Sequence, residues 1–166
     1  MAVLELYLIR HGLAAERGPD YPDDSKRPLT RQGMAAIRQE ARALNELEIS
    51  FDVIITSPLT RTKQTAEIIA ETLTGKPPVT TSRALAPDGT PAAVIQELLK
   101  HPKQRRIAVV GHEPNIGELA ARLIGAPSPI QFKKGGMCRV DFEVRPPKAL
   151  GELRWFIPPR VLRKIG

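Results

Sequence analysis

A chain of 166 residues, 42% of them apolar and 26% charged, can bury one full core; this excludes wholesale disorder and leaves little room for a second domain. The net charge of +7 favours anionic partners such as phosphorylated molecules, but aromatics are only 4% and no stacking platform for nucleic acid is expected. The single cysteine, Cys138, excludes an intrachain disulfide framework and a cysteine zinc site, and no apolar run approaches the ~18 residues of a membrane span.

The start MAVLELYLIR has no basic segment before its apolar run and carries Glu5 within it, so no signal peptide is expected. The expectation is a cytoplasmic protein, a monomer, with one domain over residues 1–166. Residues 3–9 (VLELYLI) read as a strand covered on both faces, ending abruptly at Arg10-His11-Gly12. A polar loop with Gly18, Pro19, Pro22 and Pro28 follows over residues 12–29. Thr30 then caps a helix whose apolar stripe is Met34, Ile37, Ala41 and Leu44. Residues 52–56 (DVIIT) form a second strand, closed by Ser57-Pro58. The next helix runs to about Leu73, with Thr65, Ile68, Ile69 and Leu73 inward and Gly75 ending it.

A third strand is expected over 79–84, and Thr90-Pro91 opens a helix over 91–100. The strand Ile107–Val110 then turns at Gly111-His112 into a helix from Asn115, where Asn115 and Glu118 have capping-box spacing. After Gly135-Gly136, MCRVDFEV and GELRWFI alternate as an antiparallel strand pair. Strands alternating with helices imply a three-layer α/β/α sandwich with a mostly parallel sheet. Ligands of such sheets bind outside the carboxyl ends of the strands. Arg10-His11, Ser57 and Gly111-His112 each follow a separate strand, so they should converge on one edge.

A lone loop histidine is more often structural than catalytic. Two strand-end histidines with Arg10 and with Arg61, in the first turn of a helix, outweigh that reading. Guanidinium forks bind phosphate oxygens bidentately, a neutral imidazole beside them is a nucleophile, and a second imidazole can donate to a non-bridging oxygen. Metal chemistry fits less well, because His101 lies apart in a polar loop and two arginines would repel a cation. No phosphate-binding GxxxxGK loop is present.

Arg10-His11-Gly12, Ser57-Pro58-Leu59 with Arg61, Gln64-Thr65-Ala66 and Gly111-His112 resemble the histidine phosphatase superfamily, which includes phosphoglycerate mutase. The short length, the stretch RPLTRQG and the ending LRWFIPPRVLR resemble its bacterial phosphohistidine phosphatases of the SixA type. The resemblance implies a phosphoglycerate mutase-like fold and a metal-independent phosphatase without cofactor. It implies that His11 accepts the phosphoryl group, that Arg10, Arg61 and His112 form the phosphate pocket, and that the substrate is a histidine-phosphorylated protein in signal transduction. Gly12, Arg27 and Ser57 are further substrate-binding candidates, with Ser57 also placed to cap the helix carrying Arg61.

One departure stands out. Many members carry an acidic general acid after the third strand, where this chain offers only Asp88 in LAPDGTP. Asp88 is either that acid or a turn residue before Gly89. Phosphohistidine has a good leaving group and tolerates the loss. A small-molecule phosphomonoesterase using Asp88, and a catalytically weak phosphate-binding signalling module, are the alternatives. Cys138, Trp155 and Phe156 read as packing residues.

Overall fold

The computed structural model describes residues 2–166; Met1, the first residue of the expected domain, lies outside them. One mixed sheet holds six strands: β1 (Leu4–Arg10), β2 (Val53–Thr56), β3 (Val79–Thr81), β4 (Arg106–Gly111), β5 (Met137–Phe142) and β6 (Glu152–Ile157). Their spatial order is β3-β2-β4-β1-β5-β6. Strands β3, β2, β4 and β1 are parallel, while β5 runs antiparallel to both β1 and β6. The helices are α1 (Arg31–Glu46), α2 (Thr60–Thr72), α3 (Pro91–Leu98), α4 (Asn115–Ile124) and α5 (Pro159–Ile165). The expected α/β/α sandwich is present.

The two-residue period of the strands builds two cores from one sheet. Leu4, Leu6 and Leu8 of β1, with Ile107 and Val109 of β4, face α3 and α4. Tyr7 and Ile9, with Ala108 and Val110, face α1, α2 and α5. Both central strands are therefore almost wholly apolar up to their last residue. Their register pairs Arg10 with Gly111, so the next residues on each strand, His11 and His112, leave the sheet side by side.

Helix starts follow the sequence where a hydroxyl caps: Thr30 accepts from Gly33 N–H at 2.9 Å and Thr90 from Ala93 N–H at 3.2 Å. Elsewhere the structure differs. Asn115 does not cap α4; it is the first residue of that helix, and its amide donates to the carbonyls of Ala86, Pro87 and Gly89. Glu113 supplies the end contact instead, accepting from Gly117 N–H at 2.8 Å. Beyond α2 it is Lys76, not Gly75, that takes the left-handed conformation, with φ 43. The third strand is shorter than expected, because Arg83–Leu85 turn into a single 3-10 turn. Helix α5, begun by Pro158-Pro159, is absent from the sequence reading; it packs on α1 and buries Leu162 in the core on that side of the sheet.

Helix α5 also exposes a conflict. Glu40 of α1 shares the stripe of Ile37, Ala41 and Leu44 and is buried, with one oxygen paired to Arg163 of α5 at 3.3 Å and the other without a partner. Above it lies Gly135, at φ +84, where a Cβ would come within 2.8 Å of both carboxylate oxygens. Burial pushes the Glu40 carboxyl up to about 8 against the pull of Arg163. A raised carboxyl value means that ionisation opposes folding. The penalty is absent below the unfolded value near 4.5 and complete above about 8. Glu40→Gln should therefore melt higher than wild type at pH 9, by about 3 °C or more. The gap should close towards pH 5 in thermal unfolding followed across that range. A gap independent of pH would mean that Arg163 fully compensates the buried charge.

Candidate active site

The edge formed by the carboxyl ends of β1, β2 and β4 brings together Arg10, His11, Ser57, Arg61 and His112. The two imidazole centroids are 5.3 Å apart. The site is assembled on the backbone first. His11 N–H donates to Gly111 O at 3.1 Å, locking the two strand ends together. The loop at Phe132–Gly136 closes the other side: Gly135 N–H donates to the carbonyls of Arg10 and His11, and Arg10 N–H donates to Gly136 O.

Each motif residue then has an identifiable task. Gly12 N–H donates to Thr65 Oγ1 at 3.1 Å, and Gly12 O accepts from His11 Nδ1 at 2.7 Å. Both polar groups of Gly12 are thus engaged within the protein and hold the nucleophile candidate. Gln64 Oε1 accepts from Leu29 N–H at 2.7 Å, tying α2 to the loop before α1. Gly33 in RPLTRQG lets α1 start against that loop, since a Cβ there would lie 2.1 Å from Leu13 O. Ser57 does not cap α2. Its Oγ accepts weakly from Leu59 N–H at 3.3 Å and lies 2.8 Å from His112 Nε2. With the Ser57 hydroxyl proton directed to Nε2, His112 carries its own proton on Nδ1.

The electrostatics follow from burial among cations. Arg61 and both histidines are buried. Arg10 donates from Nη1 to Phe132 O at 2.7 Å, and Arg61 from Nη1 and Nη2 to the main-chain and side-chain oxygens of Asp24, each at 3.0 Å. Both guanidinium groups are gripped at their tips, leaving Arg10 Nε, Arg61 Nε and His112 Nδ1 buried without partners. A buried donor left unpaired costs about 1–3 kcal/mol, so an arrangement keeping three of them is suited to an oxyanion. Burial, reinforced by Arg61, Arg10 and Arg27, lowers His11 to about 4 even though its bond to Gly12 O works the other way. Burial, then His11 and Arg61, lowers His112 to about 3. Because the His11 Nδ1 proton points at Gly12 O, the lone pair of Nε2 is free.

Two acidic residues that the sequence did not single out belong to this neighbourhood. Asp24, in a 3-10 turn (Asp24–Lys26), accepts from Arg61 and from Arg27 Nε at 3.1 Å. Its position three residues before Arg27 was the only available signal. Glu113 sits near Arg10, its carboxyl raised by burial more than its bonds and Arg10 lower it. Arg27 is mostly buried, bound to Asp24 and to Ala15 O at 2.8 Å. Asp88 lies outside this network, exposed on its turn with Arg83 3.4 Å away. His101 pairs with Glu97 elsewhere, at 3.7 Å. Among the described residues no group of three or more His, Cys, Asp or Glu side chains is placed to hold a metal ion.

Residues 6–86 match the family model described as histidine phosphatase superfamily, branch 1. An uncharacterized protein of Picosynechococcus is 40% identical over 119 residues, covering 70% of this chain and 71% of that protein. The chain belongs to the histidine phosphatase superfamily. Within it, the phosphohistidine phosphatase SixA of Escherichia coli is 27% identical over 162 residues, spanning 94% of both chains. The solved structure of the protein histidine phosphatase SixA complexed with tungstate superimposes with a TM-score of 0.84 at 26% identity, covering 96% of this chain and 99% of that one. This kinship supports a phosphatase-type hydrolase on a phosphoglycerate mutase-like histidine phosphatase fold.

With both histidines depressed, His11 and His112 should show no change of imidazole chemical shift between pH 8 and pH 5.5. Titration of His11 near 6.5 would contradict the buried cationic surroundings. The same depression has a stability consequence of opposite sense to that of Glu40. Unfolded imidazoles take up protons below about 6.5 while the folded ones refuse them, so these two groups weaken the fold as pH falls from 6.5 towards 4.

Proposed function

We propose that this protein is a phosphohistidine phosphatase acting on a protein substrate through a phosphorylated His11. The observation that carries the reading is the His11 Nδ1–H bond to Gly12 O, which leaves Nε2 as a neutral nucleophile beside three unpaired buried donors. In the first step Nε2 bonds to phosphorus as the bond from phosphorus to the substrate imidazole nitrogen breaks. The departing ring takes the electron pair and picks up a proton from solvent, no acid of the pocket being needed to supply it. In the second step water attacks phosphorus, the Nε2–P bond breaks, and orthophosphate leaves with His11 neutral again. Arg10 and Arg61 bind the non-bridging oxygens, and His112 donates from Nδ1 as charge builds on them. Ser57 acts by orienting His112, and Gly12 and Thr65 by orienting His11. Arg27 contributes charge at the rim. No step is routed through a metal or cofactor.

The protein substrate is favoured by kinship to SixA and by the short chain between Arg61 and His112, which holds β3, α3 and β4 with no inserted cap over the site. Asp88 is proposed as a turn residue, since its partner is Arg83 and its side chain is exposed. We place the protein, as one domain acting as a monomer, in cytoplasmic signal transduction. Among the described residues no helix is long and apolar enough to cross a membrane.

Arg61→Lys should lower kcat/KM by ~10²–10³-fold, because a point-like ammonium cannot reproduce the planar fork whose two tips hold Asp24 while Nε, further along the group, is left for phosphate. Near-normal kinetics would remove Arg61 from the pocket.

Rapid quenching with labelled phosphohistidine protein should trap a phosphoenzyme that is acid-labile and alkali-stable, and that is lost in His11→Ala. Across a panel, the phosphohistidine protein should be far preferred to sugar and alkyl phosphates, and Asp88→Asn should change its kcat/KM by less than about tenfold. Efficient ester hydrolysis that collapses in Asp88→Asn would instead support a phosphomonoesterase. Phosphate binding with no turnover at all would support a signalling module.

A further inference from the structure

Among the described residues, Asp24 is the carboxylate hydrogen-bonded to the arginines of the pocket. Its Oδ2 lies 3.0 Å from Arg61 Nη2 and its main-chain oxygen 3.0 Å from Arg61 Nη1. Oδ1 accepts from Arg27 Nε at 3.1 Å and stands 3.5 Å from Arg17 Nε. Half-exposed, it sits at the solvent side of a fork that is itself buried. Burial works against its ionisation, but the bonds and charges of Arg27 and Arg61 win and hold it below the usual carboxylate range. It is therefore an anion at neutral pH. Its field reaches the interior of the pocket, where it favours protonation of His112 against burial and the neighbouring cations.

An oxyanion bound to Arg10, Arg61 and His112 has the same sign as Asp24. We propose that Asp24 sets the affinity of the pocket for phosphate: its charge opposes the bound dianion and so promotes product release, while its oxygens keep Arg61 in place. The inference rests on the reading of this pocket as a phosphoryl site. Arginines 10, 27 and 61 around two neutral imidazoles would otherwise hold orthophosphate tightly, and tight binding of the product does not accelerate the chemistry.

The two tasks of Asp24 can be separated. The main-chain carbonyl holds Arg61 Nη1 whatever the side chain, and an asparagine oxygen can still accept from Nη2. Asp24→Asn thus removes the charge and keeps both contacts to Arg61 while giving up the acceptor for Arg27 Nε, whereas Asp24→Ala also removes the side-chain acceptor and leaves Arg61 its main-chain bond alone. Titration calorimetry with orthophosphate, on the folded full chain at low ionic strength, reads affinity without turnover. Asp24→Asn should bind orthophosphate about tenfold more tightly than wild type, with the difference shrinking as salt is added. Orthophosphate should inhibit turnover of the phosphohistidine protein more strongly in the same proportion, and kcat should fall if release limits it. Asp24→Ala should gain less, because Arg61 Nη2 loses its acceptor and the guanidinium is held at one nitrogen only.

Unchanged or weaker phosphate binding in Asp24→Asn would overturn the proposal and leave Asp24 as a strut for Arg61. Tighter binding in Asp24→Ala than in Asp24→Asn would overturn the tethering half. Wild-type protein that binds no orthophosphate, or binds it equally well after His11→Ala and Arg61→Ala together, would instead sink the assignment of the pocket itself.

Discussion

Cationic side chains held out of water beside neutral bases are the condition on which this structure turns. Arg61 is buried, Arg10 is half-buried, and each is held by oxygen acceptors at only part of its guanidinium. Such groups cannot lose their charge at any working pH, so the surroundings must adjust to them. The imidazoles adjust by remaining unprotonated, and the backbone adjusts by turning carbonyls of Asp24 and Phe132 inward. What remains unmatched is a set of N–H donors with no acceptor of their own. A protein built for stability alone would have filled them.

The sheet supplies the rigidity that this arrangement requires. Because β1 and β4 pair in parallel with Arg10 opposite Gly111, both histidines leave adjacent strands at the same level. Neither depends on a long loop for its position. The loop at Phe132–Gly136 adds a third constraint, fixing the main chain and the side chain of Arg10 together. The buried carboxylate of Glu40, with one oxygen held by Arg163 and the other without a partner, lies directly beneath that loop, so this part of the site rests on one of the least comfortable contacts in the core.

Much of this was legible in the residues. Apolar runs stopping at Arg10-His11, Thr56-Ser57 and Gly111-His112 announced three strand ends on one edge, and Thr30 and Thr90 announced two helix starts. What could not be read was set by distant neighbours. Asp24 is one acid among several in a polar loop until Arg61 is brought against it from a separate helix. Asn115 has the spacing of a cap, but the carbonyls of Ala86, Pro87 and Gly89 compete for its amide and win. Glu40 passes in the sequence for one more polar residue of α1, and its burial depends on Arg163 of α5, a short helix with two prolines at its start. After α2 no left-handed glycine is used, because the helix closes at Leu73 in an extended conformation and the left-handed turn comes later, at Lys76, whose N–H donates to Leu73 O.

The place of β1 in the sheet also governs the order in which the protein can come into being. It is the first of these strands to be made, yet both of its partners come from far along the chain: Leu6 pairs with Ile107 and Leu4 with Phe142. Until those segments leave the ribosome, a strand with Leu4, Leu6, Tyr7, Leu8 and Ile9 has no edge to join. Pairings of such long sequence separation form slowly and leave apolar segments open to other chains in the meantime. The same delay has a protective side. His11 lacks its neighbour until β4 is in place, so a nascent or truncated chain holds no reactive pocket, and the capacity for chemistry arrives only with the completed sheet.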